Sequence, residues 1–190
     1  MGFTINIIGV QLILLHKNYT HMLTGKELAA SGMITGFDEK NIQQQGIDLR
    51  ISKVKKIRKG ALGVIPEKGK TIIPEYEEVQ DLHLKNGDLR IHGWMLPTGV
   101  YDIEFVEGVN VGSKFCMKPL TRSSLIRCGA QINSGLYDAG FNTEHAGAML
   151  YVTNPIVIEK NSRVAQIVCL ESNEVENLYD GQFQNDKQRK

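Results

Sequence analysis

Two arginines flank a pair of serines in Pro119-Leu120-Thr121-Arg122-Ser123-Ser124-Leu125-Ile126-Arg127. A guanidinium presents a planar fork of donors matched to phosphate oxygens, and serine hydroxyls and turn amides add short neutral hydrogen bonds. Arg122, Ser123, Ser124 and Arg127 are therefore candidates for an oligophosphate cradle, although Arg-Ser-Ser also serves in ordinary turns. Gly135-Leu136-Tyr137-Asp138-Ala139-Gly140-Phe141 reads as a strand running into a glycine turn. A carboxylate held at a strand end can orient and deprotonate a water, and the Phe141 ring offers a flat apolar face to a sugar or base. Equally, an aspartate in a turn can be a local backbone acceptor. Arg163-Val164-Ala165-Gln166 opens a strand whose alternation puts Arg163 with Ala165 on one face and Val164 with Gln166 on the other; an ordinary edge strand looks the same. Tyr179-Asp180-Gly181-Gln182-Phe183-Gln184 sets two aromatics around a glycine, which suits a lid closing over a ligand or an exposed tail.

Those groups need a scaffold, and composition bounds it. A chain of 190 residues, 42% hydrophobic, can bury one full core, so one domain is expected. The 22 Lys and Arg nearly balance the 21 Asp and Glu, leaving no global field to draw the chain onto nucleic acid or membrane. An anionic ligand must be met by a local cluster of cations. Cys116, Cys128 and Cys169 are an odd set without CxxC or Cys/His spacing, which suggests neither a disulfide framework nor a zinc site of that kind. The expectation is a cytoplasmic protein with buried thiols. The apolar run from Ile5 to Leu15 follows a Met1-Gly2-Phe3-Thr4 start with no basic residue, unlike a secretory signal, and is too short to span a bilayer. Residues 1–21 are expected to be an extension outside the native fold, with the functional domain at 22–178 and a flexible tail and candidate lid at 179–190.

Thr24-Gly25-Lys26-Glu27 has the spacing of a capping box opening a short helix through Leu28-Ala29-Ala30, with Gly32 ending it. From Ile47 onward, short runs rich in Val, Ile, Tyr and Leu alternate with Gly, Pro and Asn, the pattern of an all-β sandwich or barrel. Strands are expected at Gly46–Ile51, Gly63–Ile65, Leu89–Leu96, Val100–Val106, Lys114–Lys118, Ala148–Val152, Val157–Glu159 and Val164–Leu170. The absence of a βαβ rhythm, of GxGxxG and of GxxxxGK[ST] disfavours nucleotide folds built on those units. Lys53–Lys59 reads chiefly as a solvated strand face, and the tail after Phe183 as mobile until something orders it.

In order and spacing, these motifs together resemble the dUTPase/dCTP deaminase family. Gln45-Gly46-Ile47-Asp48-Leu49-Arg50 resembles its first motif, the arginine-serine-serine segment its second, GLYDAGF its third and RVAQ its fourth, and Leu96-Pro97-Thr98-Gly99-Val100-Tyr101 resembles a family strand entry. The resemblance covers about Gln45 to Gln184. It implies a distorted, jelly-roll-like β-barrel with a short N-terminal helix, assembled as a homotrimer with sites between subunits that bind a deoxynucleoside triphosphate with magnesium. By the same resemblance Asp138 is the base, and Arg122, Ser123 and Gln166 hold phosphates. Asp48 supports the site or a metal-bound water, and Phe141 packs under the deoxyribose. Ser124, Arg127, Asn133, Tyr179, Phe183 and Gln184 complete the expected substrate contacts.

The departures favour one branch. Deaminases of the family carry a Leu-Glu pair in the strand after the third motif, whereas Ala148-Met149-Leu150-Tyr151-Val152-Thr153-Asn154 holds no carboxylate. Glu144 or His145 stands near enough in sequence to substitute. The glycine-rich fifth motif of ordinary dUTPases is also missing, and the ending is deaminase-like. The combination resembles dUTPases built on a deaminase-like chain, which implies hydrolysis of dUTP to dUMP and pyrophosphate. The alternatives are dCTP deamination, alone or as a second activity, and a non-catalytic nucleotide- or protein-binding module. The hairpin around Gln131 to Ser134 follows neither branch closely, leaving the base open.

Overall fold

The computed structural model describes residues 21–86 and 88–186. Of the expected 1–21 extension, residues 1–20 lie outside the described residues; His21 pairs with Glu171 at a sheet edge. The capping box forms as expected. Thr24 Oγ1 accepts from the Glu27 amide at 3.3 Å, and the Glu27 carboxylate accepts from the Thr24 amide at 2.8 Å, which sets the start of helix Gly25–Ala30. The helix drives Leu28, fully buried, into the core.

The chain is mainly β and barrel-like. Its largest sheet runs through strands Arg163–Glu171, Gly46–Ile57, Gly99–Phe105, Gly147–Val152 and Ala130–Asn133 in that order, with Phe115–Thr121 on the far side of Arg163–Glu171. Gly46–Ile57 makes the corner. Its first half pairs with Arg163–Glu171 and its second with Gly99–Phe105, and the register shifts between Ile51 and Lys53. A bulge at such a switch of partners bends one strand from layer to layer. Ile47, Leu49, Ile51, Ile103, Phe105 and Leu150 are wholly buried around this corner. Three further strands, Leu82–Asn86, Leu89–Leu96 and Ile156–Glu159, form a separate sheet.

Several expectations need correction. Gly63–Ile65 is not a strand: Val64 makes one bridge to Ile72, and Ile65 is 89% exposed, because no neighbouring strand covers this Gly- and Pro-rich excursion. In GLYDAGF, Tyr137 alone bridges, to Met117; glycines on either side weaken a ladder. Ser123–Arg127 is a five-residue helix, too short to show a helical period. In RVAQ a bulge at Val164 breaks the alternation, so that Val164 and Ala165 are both buried while Arg163 is exposed. That strand is not an edge, since it pairs on both sides. Of the Lys53–Lys59 run, Lys53 to Ile57 lie on the strand and Arg58 and Lys59 past its end, and the strand face is ion-paired: Lys55 and Lys53 meet Glu104 at 2.5 and 3.5 Å, and Lys56 meets Glu77 at 3.2 Å. Among the described residues, no helix is long and apolar enough to cross a membrane.

The thiols are not all buried: Cys169 is, Cys116 is half-buried and Cys128 is exposed. Burial, followed by the neighbouring Cys116 and Glu171, pushes the Cys169 thiol up to about 12. Since only the thiolate reacts, a disulfide reagent near neutral pH is expected to modify Cys128 first and Cys169 only on unfolding. Cys128→Ser should remove the fast phase. Rapid labelling of Cys169 in the native protein would contradict this.

Candidate active site

A cavity of about 300 Å³ opens beside the glycine turn of GLYDAGF. Its walls include Asp138, Phe141, Thr143, His145, Tyr179 and Phe183. The Phe141 amide donates to the Asp138 carbonyl at 3.0 Å, and Gly140 and Phe141 exchange backbone bonds with Val111 at 2.9 Å. This clamps the turn and presents the Asp138 side chain in an exposed position. Gly140 has φ +87° and lies so close to the tail that a Cβ would stand 2.7 Å from the Leu178 Cβ. The turn thus needs glycine for its conformation and for the approach of the tail.

Aromatic rings line this half of the site. Tyr137 and Phe141 have ring centroids 5.1 Å apart, and Tyr179 stands edge-on to Phe141 at 5.4 Å, arrangements that ring quadrupoles favour. Tyr137, not among the expected substrate contacts, is buried and donates from its hydroxyl to the Gly147 carbonyl at 2.6 Å. It ties the turn to the next strand. Its position beside Asp138 within the third motif was the signal for it. The tail is laid on the turn: the Gln184 amide oxygen accepts from Asn142 at 2.9 Å, its nitrogen donates to Gly140 at 2.8 Å, and the Tyr179 amide donates to Ala139 at 2.8 Å. Asn133 lines an adjoining cavity with Ser134, Asp102 and Gly147.

The cationic residues gather elsewhere. Asp48, 1% exposed, lies 3.4 Å from Arg122 Nε and accepts from Arg163 Nη1 at 3.2 Å. Arg122 also donates to the Arg163 carbonyl at 3.1 Å. Burial pushes the Asp48 carboxyl upward from its ordinary value, against the pull of Arg122 and Arg163. Gln166 sits between Asp48 and Leu120 in the sheet, while Ser123 and Ser124 are exposed on the first turn of the short helix, whose leading amides have no intrahelical partner. Arg127 is exposed at the other end. Arg163, for which the sequence indicates no role of its own, is the second cation on Asp48. With both oxygens turned to guanidiniums, Asp48 is poorly suited to hold a metal or its water, since another cation would be repelled.

On one chain, then, the two groups of residues lie apart. Tyr137, next to Asp138, bridges to Met117, and Arg122 follows five residues later, just past the end of the same strand, about 16 Å of extended chain away. The aromatic-carboxylate half can hold a nucleoside and activate a water. The guanidinium-hydroxyl half can hold an oligophosphate.

Residues 22–172 match the dCTP deaminase-like family, and the chain belongs to it. Among its relatives is the deoxyuridine 5'-triphosphate nucleotidohydrolase of Methanocaldococcus jannaschii, 34% identical over 149 residues that span 76% of this chain and 87% of that one. The probable deoxyuridine 5'-triphosphate nucleotidohydrolase of Methanosarcina mazei is 33% identical over 152 residues, covering 78% and 83%. In fold, the chain is similar to the crystal structure of 2'-deoxycytidine 5'-triphosphate deaminase from Agrobacterium tumefaciens, with a TM-score of 0.59 and 17% identity. That likeness covers 80% of this chain and spans about half (49%) of the deaminase chain.

Proposed function

We infer that this chain is a dUTP diphosphatase, hydrolysing dUTP to dUMP and pyrophosphate. The observation that carries this is the composition of the cavity: Asp138 is the one carboxylate among the described residues lining it. Hydrolysis needs a single base. Water attacks the α-phosphorus in line, its proton passes to Asp138, and the bond from that phosphorus to the bridging oxygen breaks as pyrophosphate leaves. Arg122, Ser123, Ser124 and Gln166 stabilise the charge that builds on the phosphates, and Asp48 acts on them indirectly, by positioning Arg122 and Arg163. Magnesium belongs to this proposal as the ion the triphosphate carries in, neutralising its charge. Phe141 under the sugar leaves no room for a 2′-hydroxyl.

Because the half-sites lie apart on one chain, a homotrimer in which one copy supplies Asp138 and Phe141 and the next supplies Arg122 and Ser123 completes the site. A second reading, dCTP deamination, is favoured by one observation: the imidazole of His145 lines the cavity, and replacing the C4 amino group needs a proton shuttle. Glu144 is not among the lining residues.

The test is a side-by-side assay of dUTP, dCTP, dTTP and UTP with magnesium. Pyrophosphate from dUTP, with UTP turned over far more slowly, is expected. Ammonia from dCTP without turnover of dUTP would replace this reading by deamination, and binding without turnover by a non-catalytic module.

A further inference from the structure

On the three-stranded sheet, outside the residues assigned to dUTP, two imidazoles and a carboxylate converge. His83 and His92 are directly opposite partners in the antiparallel ladder between Leu82–Asn86 and Leu89–Leu96. Side chains of such a pair project from the same face, and here the rings stack with centroids 4.2 Å apart. Asp81 precedes His83 by two residues, the spacing that returns a side chain to one face of an extended chain. Its Oδ2 lies 3.0 Å from His92 Nε2. One ligand atom from each of Asp81, His83 and His92 falls within 4.8 Å of the others.

We propose that Asp81, His83 and His92 form a binding site for a borderline transition-metal cation of the zinc type. The donor set decides the class. Two imidazole nitrogens with one carboxylate oxygen suit zinc, cobalt or nickel, whereas magnesium takes oxygen ligands and keeps its waters. Donors around a tetrahedral ion with bonds of ~2.0–2.1 Å stand about 3.3 Å apart. All three residues are exposed, so small side-chain rotations can close the remaining distance, with water in the fourth position.

One exposed ammonium stands beside this carboxylate, and a metal must displace it. Lys160 Nζ lies 3.4 Å from Asp81 Oδ2 and 5.8 Å from the centre of the Trp94 ring. An arriving metal takes the place of that ammonium beside the carboxylate, and Lys160 keeps the ring face. Bound metal ties the segment before Leu82–Asn86 to its hairpin partner. It acts as a structural clip, independent of dUTP hydrolysis.

The experiment uses the full, tag-free chain without nucleotide, titrated with cobalt(II) and with zinc(II). The expected result is one cobalt per chain with visible d–d absorption, displaced by zinc, and a melting temperature that rises with zinc in the wild type. His83→Gln and His92→Gln should each weaken cobalt binding at least tenfold, and the double variant should lose both the absorption and the zinc-dependent rise in melting temperature. Pyrophosphate release from dUTP should be unchanged in the metal-free variants. No saturable binding to the wild type, or binding that survives in the double variant, would overturn the proposal.

Discussion

Asp138→Asn is expected to lower pyrophosphate release from dUTP on the order of 10³-fold while leaving KM within a few-fold. The exposed side chain supports none of the turn's backbone bonds; those run through the Asp138 carbonyl, the Gly140 amide and both backbone groups of Phe141. The isosteric amide therefore folds normally, holds nucleotide and cannot take the proton of the attacking water. A thousandfold loss is about 4 kcal/mol of transition-state stabilisation, which is what one positioned base supplies. If the variant keeps more than a tenth of wild-type turnover, Asp138 is not the base.

The same variant tests the shared site. Arg122→Gln should also be nearly inactive, for loss of phosphate contact. Co-expressed in equal amounts, the two form mixed trimers. In a ring where each site joins Asp138 of one copy to Arg122 of the next, random assembly restores about one quarter of wild-type activity. If each chain held both halves of its own site, mixing would restore nothing, and trimers of wild-type mass without regained activity would rule out the shared site.

A large loss of stability is expected from Gly46→Ala, at about 3 kcal/mol or more, lowering Tm by roughly 6–12 °C. Gly46 has φ +149°, and a Cβ there would stand 2.1 Å from the Ile167 carbonyl oxygen on the adjacent strand. Backbone cannot yield as a flexible side chain does. The strands must part where Asp48 faces Gln166, so activity should fall with stability. Gly32→Ala is the control: its φ is +72°, but a Cβ there meets nothing within 4 Å, and only a backbone cost of about 1 kcal/mol is expected. Equal losses in calorimetry at both positions would show that the close approach to Ile167 is unimportant.

Features spanning a few consecutive residues were readable. The Thr24–Glu27 box is a reciprocal bond over three residues, and Leu89–Leu96 appears with the bounds its pattern indicated. Gly140 is where its turn requires it. The short helix at Ser123–Arg127 was not readable, since five residues scarcely exceed one helical turn. Neither was the bulge at Val164, because alternation assumes an unbroken ladder and only the partner strand reveals the extra residue.

By itself, then, the sequence determined the β-rich class, the family and the kinds of groups available for chemistry, because propensity, alternation and motif identity are properties of neighbouring residues. Tertiary structure alone decided which groups meet. Asp48 holds Arg163 across 115 positions, and Gln184 reaches Gly140 across 44. His83 and His92 converge because of ladder register, and Arg122 stands at the far end of a strand from Asp138. Those distances follow from register, bulges and the corner in Gly46–Ile57. Each is settled by packing over the whole core, so no local stretch of residues encodes it.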